Sequence, residues 1–132
     1  MAVDVKQLRV GSHILVDGKR ERVRGLDEDN GLIIRFPAEY VNANEVEAIS
    51  ITPALLKELG FEWREDSSCW RKYQNYDGER YDWGVYAFCI HTSKEWYFDF
   101  FLPDFKRPRL YAKHLHELEE QLAYYGVELI KA

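Results

Sequence analysis

The sequence predicts an α+β fold: a small N-terminal Src-homology-3-like β-barrel, a short helix, an antiparallel β-meander and a C-terminal helix. Three observations carry this expectation. Short β-prone runs separated by turn residues fill the stretch from Leu8 to Thr52. Fifteen of the twenty Phe, Trp and Tyr residues then fall between Phe61 and Phe105, in strand-like alternation. Last, apolar residues at three- and four-residue steps run from Tyr111 to Tyr125, the spacing of one helix face. The expected organisation is a barrel-like part over 1–52, a linker helix over 53–60, and the meander with its helix over 61–132, in one compact unit.

The elements follow in order. His13-Ile14-Leu15-Val16 leads into Asp17-Gly18, a pair that tolerates the positive φ of a tight hairpin. Lys19 to Leu26 reads as the return strand. A turn at Asp27-Glu28-Asp29-Asn30-Gly31 precedes Leu32-Ile33-Ile34-Arg35-Phe36. After Pro37, Tyr40-Val41-Asn42 and Ala48-Ile49-Ser50-Ile51 add two brief strands, and strands this short and frequent suit a small barrel. Thr52 is the expected N-cap of the linker helix, Pro53 fits its first position, and Gly60 fits the position past its end. The meander comprises Phe61–Trp63, Cys69–Tyr73, Trp83–His91 and Glu95–Leu102. Turns at Glu65–Ser68, Asn75–Gly78 and Thr92–Lys94 separate these strands. Pro103 and Pro108 close it. The helix from Tyr111 to Tyr125 ends at Gly126, and Val127–Ile130 returns as a short edge strand.

Several of these segments resemble a group of small uncharacterised proteins from phages and integrated mobile elements of gut anaerobic bacteria. The similar segments are Gln7-Leu8-Arg9-Val10-Gly11-Ser12, the Asp17-Gly18 hairpin, Val46–Pro53, Leu59-Gly60-Phe61-Glu62 and the closing Tyr111…Leu115…Leu118…Leu122 helix. The resemblance implies a shared fold and a phage-related context, and it implies no activity.

Composition narrows the function classes. The chain is 46% hydrophobic and 31% charged, with a formal net charge of −5 and both signs interspersed. That balance fits a soluble domain and argues against a wholly electrostatic nucleic-acid binder. No apolar run approaches the roughly 20 residues that span a bilayer. Two cysteines make no disulfide framework, and the opening Met1-Ala2-Val3-Asp4 lacks a signal pattern. A cytoplasmic protein with free thiols is expected, with no membrane association.

Four constellations are candidates for function. Cys69, Cys89, His91, His114 and His116 are metal-ligand types, but no Cys-x-x-Cys occurs. On a helix His114 and His116 would stand about 200° apart, so no metal and no cofactor is expected. Asp99, set among Trp96-Tyr97-Phe98 and Phe100-Phe101, could titrate unusually, yet it has no partner visible in sequence and no catalytic site is assigned. Neither phosphate-loop glycine pattern occurs. Lys113 with Glu117 reads as a helical i,i+4 pair.

Arg20, Arg22 and Arg24 alternate on the expected return strand, where three guanidiniums on one face could follow a phosphate backbone. Lys106, Arg107, Arg109 and Lys113 form a second basic cluster. Finally, the two longest meander strands are apolar on both faces, and one helix covers one face only. Tyr86, Tyr97 and Phe101 are therefore the candidate protein interface, toward a second copy or another protein. The function expected is a non-enzymatic binding or structural accessory protein of phage or mobile-element origin. The alternative is a nucleic-acid-binding protein using the arginine strand.

Overall fold

The computed structural model describes residues 8–27, 29, 31–35, 39–42, 45–75, 77–90, 93–102 and 106–130. Glu28, Asn30, Phe36, Pro37, Tyr76, His91, Thr92, Pro103 and Phe105, named above, lie outside the described residues, as does Gln7. The fold is α+β with antiparallel sheets. In chain order the elements are β1 (His13–Val16), β2 (Lys19–Arg22), β3 (Gly25–Asp27), β4 (Leu32–Arg35), β5 (Glu39–Asn42), β6 (Val46–Glu47) and α1 (Pro53–Glu58). They continue as β7 (Glu62–Arg64), β8 (Cys69–Gln74), β9 (Trp83–Ile90), β10 (Glu95–Phe101), β11 (Arg109–Ala112) and α2 (Leu115–Ala123). Contacts divide the chain into two units, Met1–Ser50 with His114–Ala132, and Ile51–Lys113. This grouping differs from the boundaries expected at residues 52 and 60.

In the first unit, Asp17 and Gly18 take φ of 51° and 77°, and the hairpin they close pairs Val16 with Lys19. The strands form two three-stranded sheets, β2-β1-β6 and β3-β4-β5, and no closed barrel is seen among the described residues. Ile14, Val16, Val23, Ile33 and Val46 bury together with Leu8, so both sheets contribute to one core. The single return strand expected from Lys19 to Leu26 is two strands. Its partner chain runs out at Gly11, whose φ is +100°. Val23 makes the last rungs, donating to the Ser12 carbonyl at 2.8 Å and accepting from the Gly11 N–H at 2.9 Å. Beyond it, Gly25–Asp27 joins the other sheet. The strand expected over Ala48–Ile51 is also displaced: pairing with β1 occurs at Val46–Glu47, and Ser50 makes an isolated bridge to His114.

The C-terminal helix starts later than its periodicity suggests. Tyr111 is in β11, and α2 opens at its N-cap His114, whose N–H donates to the Glu117 carboxylate at 2.8 Å, one half of a capping box. Lys113 thus precedes the helix, and Glu117 serves the cap. Leu115, Leu118 and Leu122 are buried on one stripe. Glu119 ties α2 to β1, accepting from the His13 N–H at 2.8 Å and meeting His13 Nδ1 at 2.6 Å. The helix expected to cover the meander therefore belongs with the N-terminal strands. Val127–Ile130 forms no strand, although Val127 and Leu129 are buried.

In the second unit, the caps of α1 are as the sequence indicates. Thr52 Oγ1 accepts from the Leu55 N–H at 3.2 Å, Pro53 follows, and Gly60 sits at φ +93°. Lys72 Nζ donates to the Leu59 carbonyl at 2.7 Å and so satisfies the helix C-terminus. The five-stranded sheet runs β11-β10-β9-β8-β7, all antiparallel. Alternation divides it into two unequal faces. Val85, Ala87, Trp96, Phe98, Phe100, Leu110 and Ala112 are buried on one face. The other carries half-buried rings.

Candidate functional site

Strand register orders that second face into cross-strand rows. Phe88 lies opposite Tyr97, which lies opposite Tyr111. The next row is Arg71, Tyr86, Asp99 and Arg109, and the third is Tyr73, Gly84 and Phe101. The aromatic rings touch across and between rows. Phe88 and Tyr97 stack with centroids 4.8 Å apart, and Tyr86 meets Phe101 edge-on at 5.2 Å. Tyr97 meets Tyr111 at 6.1 Å, and Tyr73 meets Tyr86 at 6.4 Å, with their hydroxyls 2.9 Å apart. Burial and the hydrogen bond with Tyr86 push the Tyr73 pKa up to about 12, so the Tyr73 phenol stays protonated at neutral pH. The structure brings together the three interface residues read from sequence, Tyr86, Tyr97 and Phe101.

Three arginines overlie the rings. Arg109 sits 4.6 Å from the Tyr97 centroid, Arg71 5.1 Å from Tyr73, and Arg107 5.3 Å from Phe101. Such contacts contribute roughly 0.5–1 kcal/mol each at exposed sites and hold the guanidiniums in place. Asp99 is fixed by Arg109 in a two-point ion pair at 2.6 and 3.1 Å, and this contact raises the Arg109 pKa. The carboxylate singled out as a titrating candidate is thus a structural partner of an arginine. Glu62, opposite Arg71, and Glu95, opposite Ile90, place two more carboxylates on the same face. Arg107 and Arg109 were read in sequence only as part of a basic cluster, because their rings, Phe101 and Tyr97, lie on another strand, and Arg71 was missed. The signal was the same-face pairs Arg71/Tyr73 and Arg109/Tyr111.

The other candidates are dispersed. Arg20 and Arg22 are in β2, but Arg24 lies beyond its end, so the three do not form one strand row. Arg22 instead lines a cleft of about 250 Å³ with Arg9, Gly11 and Glu119. No cluster of three or more His, Cys, Asp or Glu suited to a metal occurs among the described residues. His114 and His116 do not diverge around a helix: His114 is the cap, and the rings stack 5.8 Å apart. Nor is His116 a surface residue. It is 3% exposed, and neither ring nitrogen has a hydrogen-bond partner among the described residues.

Burial lowers the His116 pKa from 6.5; His114 adds to the effect, while Glu117, Glu119 and Glu120 oppose it. The unfolded chain takes up this proton below about pH 6.5 and the folded chain resists it, so stability is full above that pH and falls below it. Urea midpoints measured across this range should decline on acidification, and His116→Leu should flatten the decline. An unchanged slope would contradict the assignment.

Compared with known proteins, the chain matches no protein-family model, no curated protein and no solved structure. No helix among the described residues is long and apolar enough to cross a membrane.

Proposed function

We propose that this is a non-enzymatic binding protein whose recognition surface is the aromatic–arginine face of the five-stranded sheet. One observation supports this reading above the others: Tyr73, Tyr86, Tyr97, Phe101 and Tyr111 lie contiguously, with Arg71 over Tyr73, Arg107 over Phe101 and Arg109 over Tyr97. Tyrosine and arginine are the residue types that dominate binding energy at protein interfaces, because each offers large contact area with a polar tip. The first partner is a second copy of the chain. The arginines share their face with Asp99, Glu62 and Glu95, so a twofold contact can set each sign against its opposite. A wholly basic face would instead have favoured nucleic acid.

Light scattering at micromolar concentration should give twice the chain mass, and Phe101→Asp should return the mass to that of a monomer with unchanged circular dichroism. A wild type that stays monomeric throughout would overturn self-association through this face. The alternative, phosphate contact by Arg20, Arg22 and Arg24, predicts retention of nucleic acid at low salt that falls steeply as salt rises.

Three further parts of the reading have supports of their own. The two small sheets sharing the Ile14–Ile33–Val46 core support a Src-homology-3-like description of the first unit. The phage or mobile-element context rests on the sequence resemblance, and a cytoplasmic setting on composition and the free thiols of Cys69 and Cys89.

A further inference from the structure

The second unit also contains a cavity of about 480 Å³, within the roughly 300–1,000 Å³ range of small-molecule sites. Three of the four tryptophans, Trp63, Trp70 and Trp96, line it, with Ala87, Cys89 and Lys94. The hairpin between β7 and β8 sets Trp63 directly opposite Trp70, with ring centroids 5.6 Å apart at 61°. Across the next strands Trp70 faces Ala87, a small residue that leaves the space open, and Cys89 faces Trp96. The Trp96 indole N–H is committed to the Ile51 carbonyl at 2.9 Å, so that ring is fixed and presents only apolar surface. Trp63 remains 48% exposed, an indole that an occupant would cover.

The lining also sets the charge of the occupant. Among the described residues that line it, Lys94 is the only formally charged one and none is a carboxylate. A tryptophan cage alone would attract a quaternary ammonium, but an ammonium in the wall repels one. A single cation balances a single negative charge.

We propose that this cavity binds a small aromatic carboxylate, its ring among Trp63, Trp70 and Trp96 and its anionic group toward Lys94. Phe88 and Tyr97 also line the cavity, so it adjoins the recognition face, but the proposal does not depend on that face binding a partner.

Calorimetric titration with naphthoate, its neutral amide and naphthyltrimethylammonium tests the proposal on the full chain. Naphthoate should bind at one site, about 10-fold or more tighter than the amide, a difference of about 1.4 kcal/mol. Lys94→Gln should remove that preference, Trp63→Ala should weaken both ligands, and Phe101→Asp should leave both unchanged. Naphthoate should also slow iodoacetamide alkylation of Cys89, the half-buried thiol in the wall, which places the ligand independently of affinity. Absence of saturable binding to the folded protein, equal affinity for acid and amide, tighter binding of the ammonium, or unprotected Cys89 would each overturn it.

Discussion

Phe98→Ala should destabilise the protein by about 3–5 kcal/mol, the range for emptying a buried aromatic site. Phe98 is fully buried at the centre of β10, hydrogen-bonded on both sides by β9 and β11. Its in-register neighbours are Ala87 and Leu110. Ala87 offers only a methyl group and cannot reach into the gap, so the cavity should persist rather than collapse. Denaturant titration measures the loss. A cost below about 1.5 kcal/mol, the level of a volume-conserving swap, would show that this face is not tightly packed. The contrasting substitution is Phe101→Ala on the other face, where the ring is only half-buried. It should cost less stability while weakening association.

Gly84→Ala should destabilise by about 1–3 kcal/mol through the opposite fault, excess volume. A Cβ at Gly84 would lie 2.6 Å from two ring carbons of Tyr73 and 3.6 Å from Phe101. Gly84 is not among the positive-φ glycines, so its backbone suits any residue and the requirement is purely one of space. The Tyr73 ring lies across the neighbouring strand because nothing projects from Gly84. A double-mutant cycle with Tyr73→Leu isolates this contact: the alanine should be better tolerated beside the smaller side chain, with a coupling of about 0.5–3 kcal/mol. Strict additivity of the two substitutions would refute the steric account.

Much of the fold could be read from sequence wherever local chemistry decides it. Asp17-Gly18 closes its hairpin, Thr52, Pro53 and Gly60 bracket α1, and β8 to β10 follow their alternation, because each depends on neighbouring residues alone. The misread elements depend on distant ones. Nothing local announces that β2 loses its partner after Val23, since Gly11 decides that. Tyr111 and Leu115 stand four residues apart, a helical interval, yet Tyr111 pairs with Tyr97 across the sheet. The docking of α2 rests on Glu119 and His13, 106 positions apart. The site divides the same way. Tyr97 and Phe101 share a face of β10 by simple alternation, as Arg71 and Tyr73 do on β8, whereas Tyr86 beside them, Arg109 over Tyr97 and the Trp63–Trp70–Trp96 cavity require the register of several strands.

The paired crossing at the ends of the inserted segment bears on the order of folding. Ile51 N–H donates to the Lys113 carbonyl at 2.9 Å, and Leu115 N–H donates to the Ile49 carbonyl at 2.8 Å, so the chain leaves and re-enters the first unit side by side. During synthesis, all the strands of the Ile51–Lys113 sheet emerge before α2 exists. The N-terminal strands, made first, can gather their Leu8–Ile14–Val16–Val23–Ile33–Val46 core, but the His13–Glu119 contact waits for a helix made last. Long-range closure is entropically slow, while the sheet closes through consecutive neighbours. The middle of the chain should therefore be complete before the first unit is, and the oldest residues on the ribosome the last to gain their final partner.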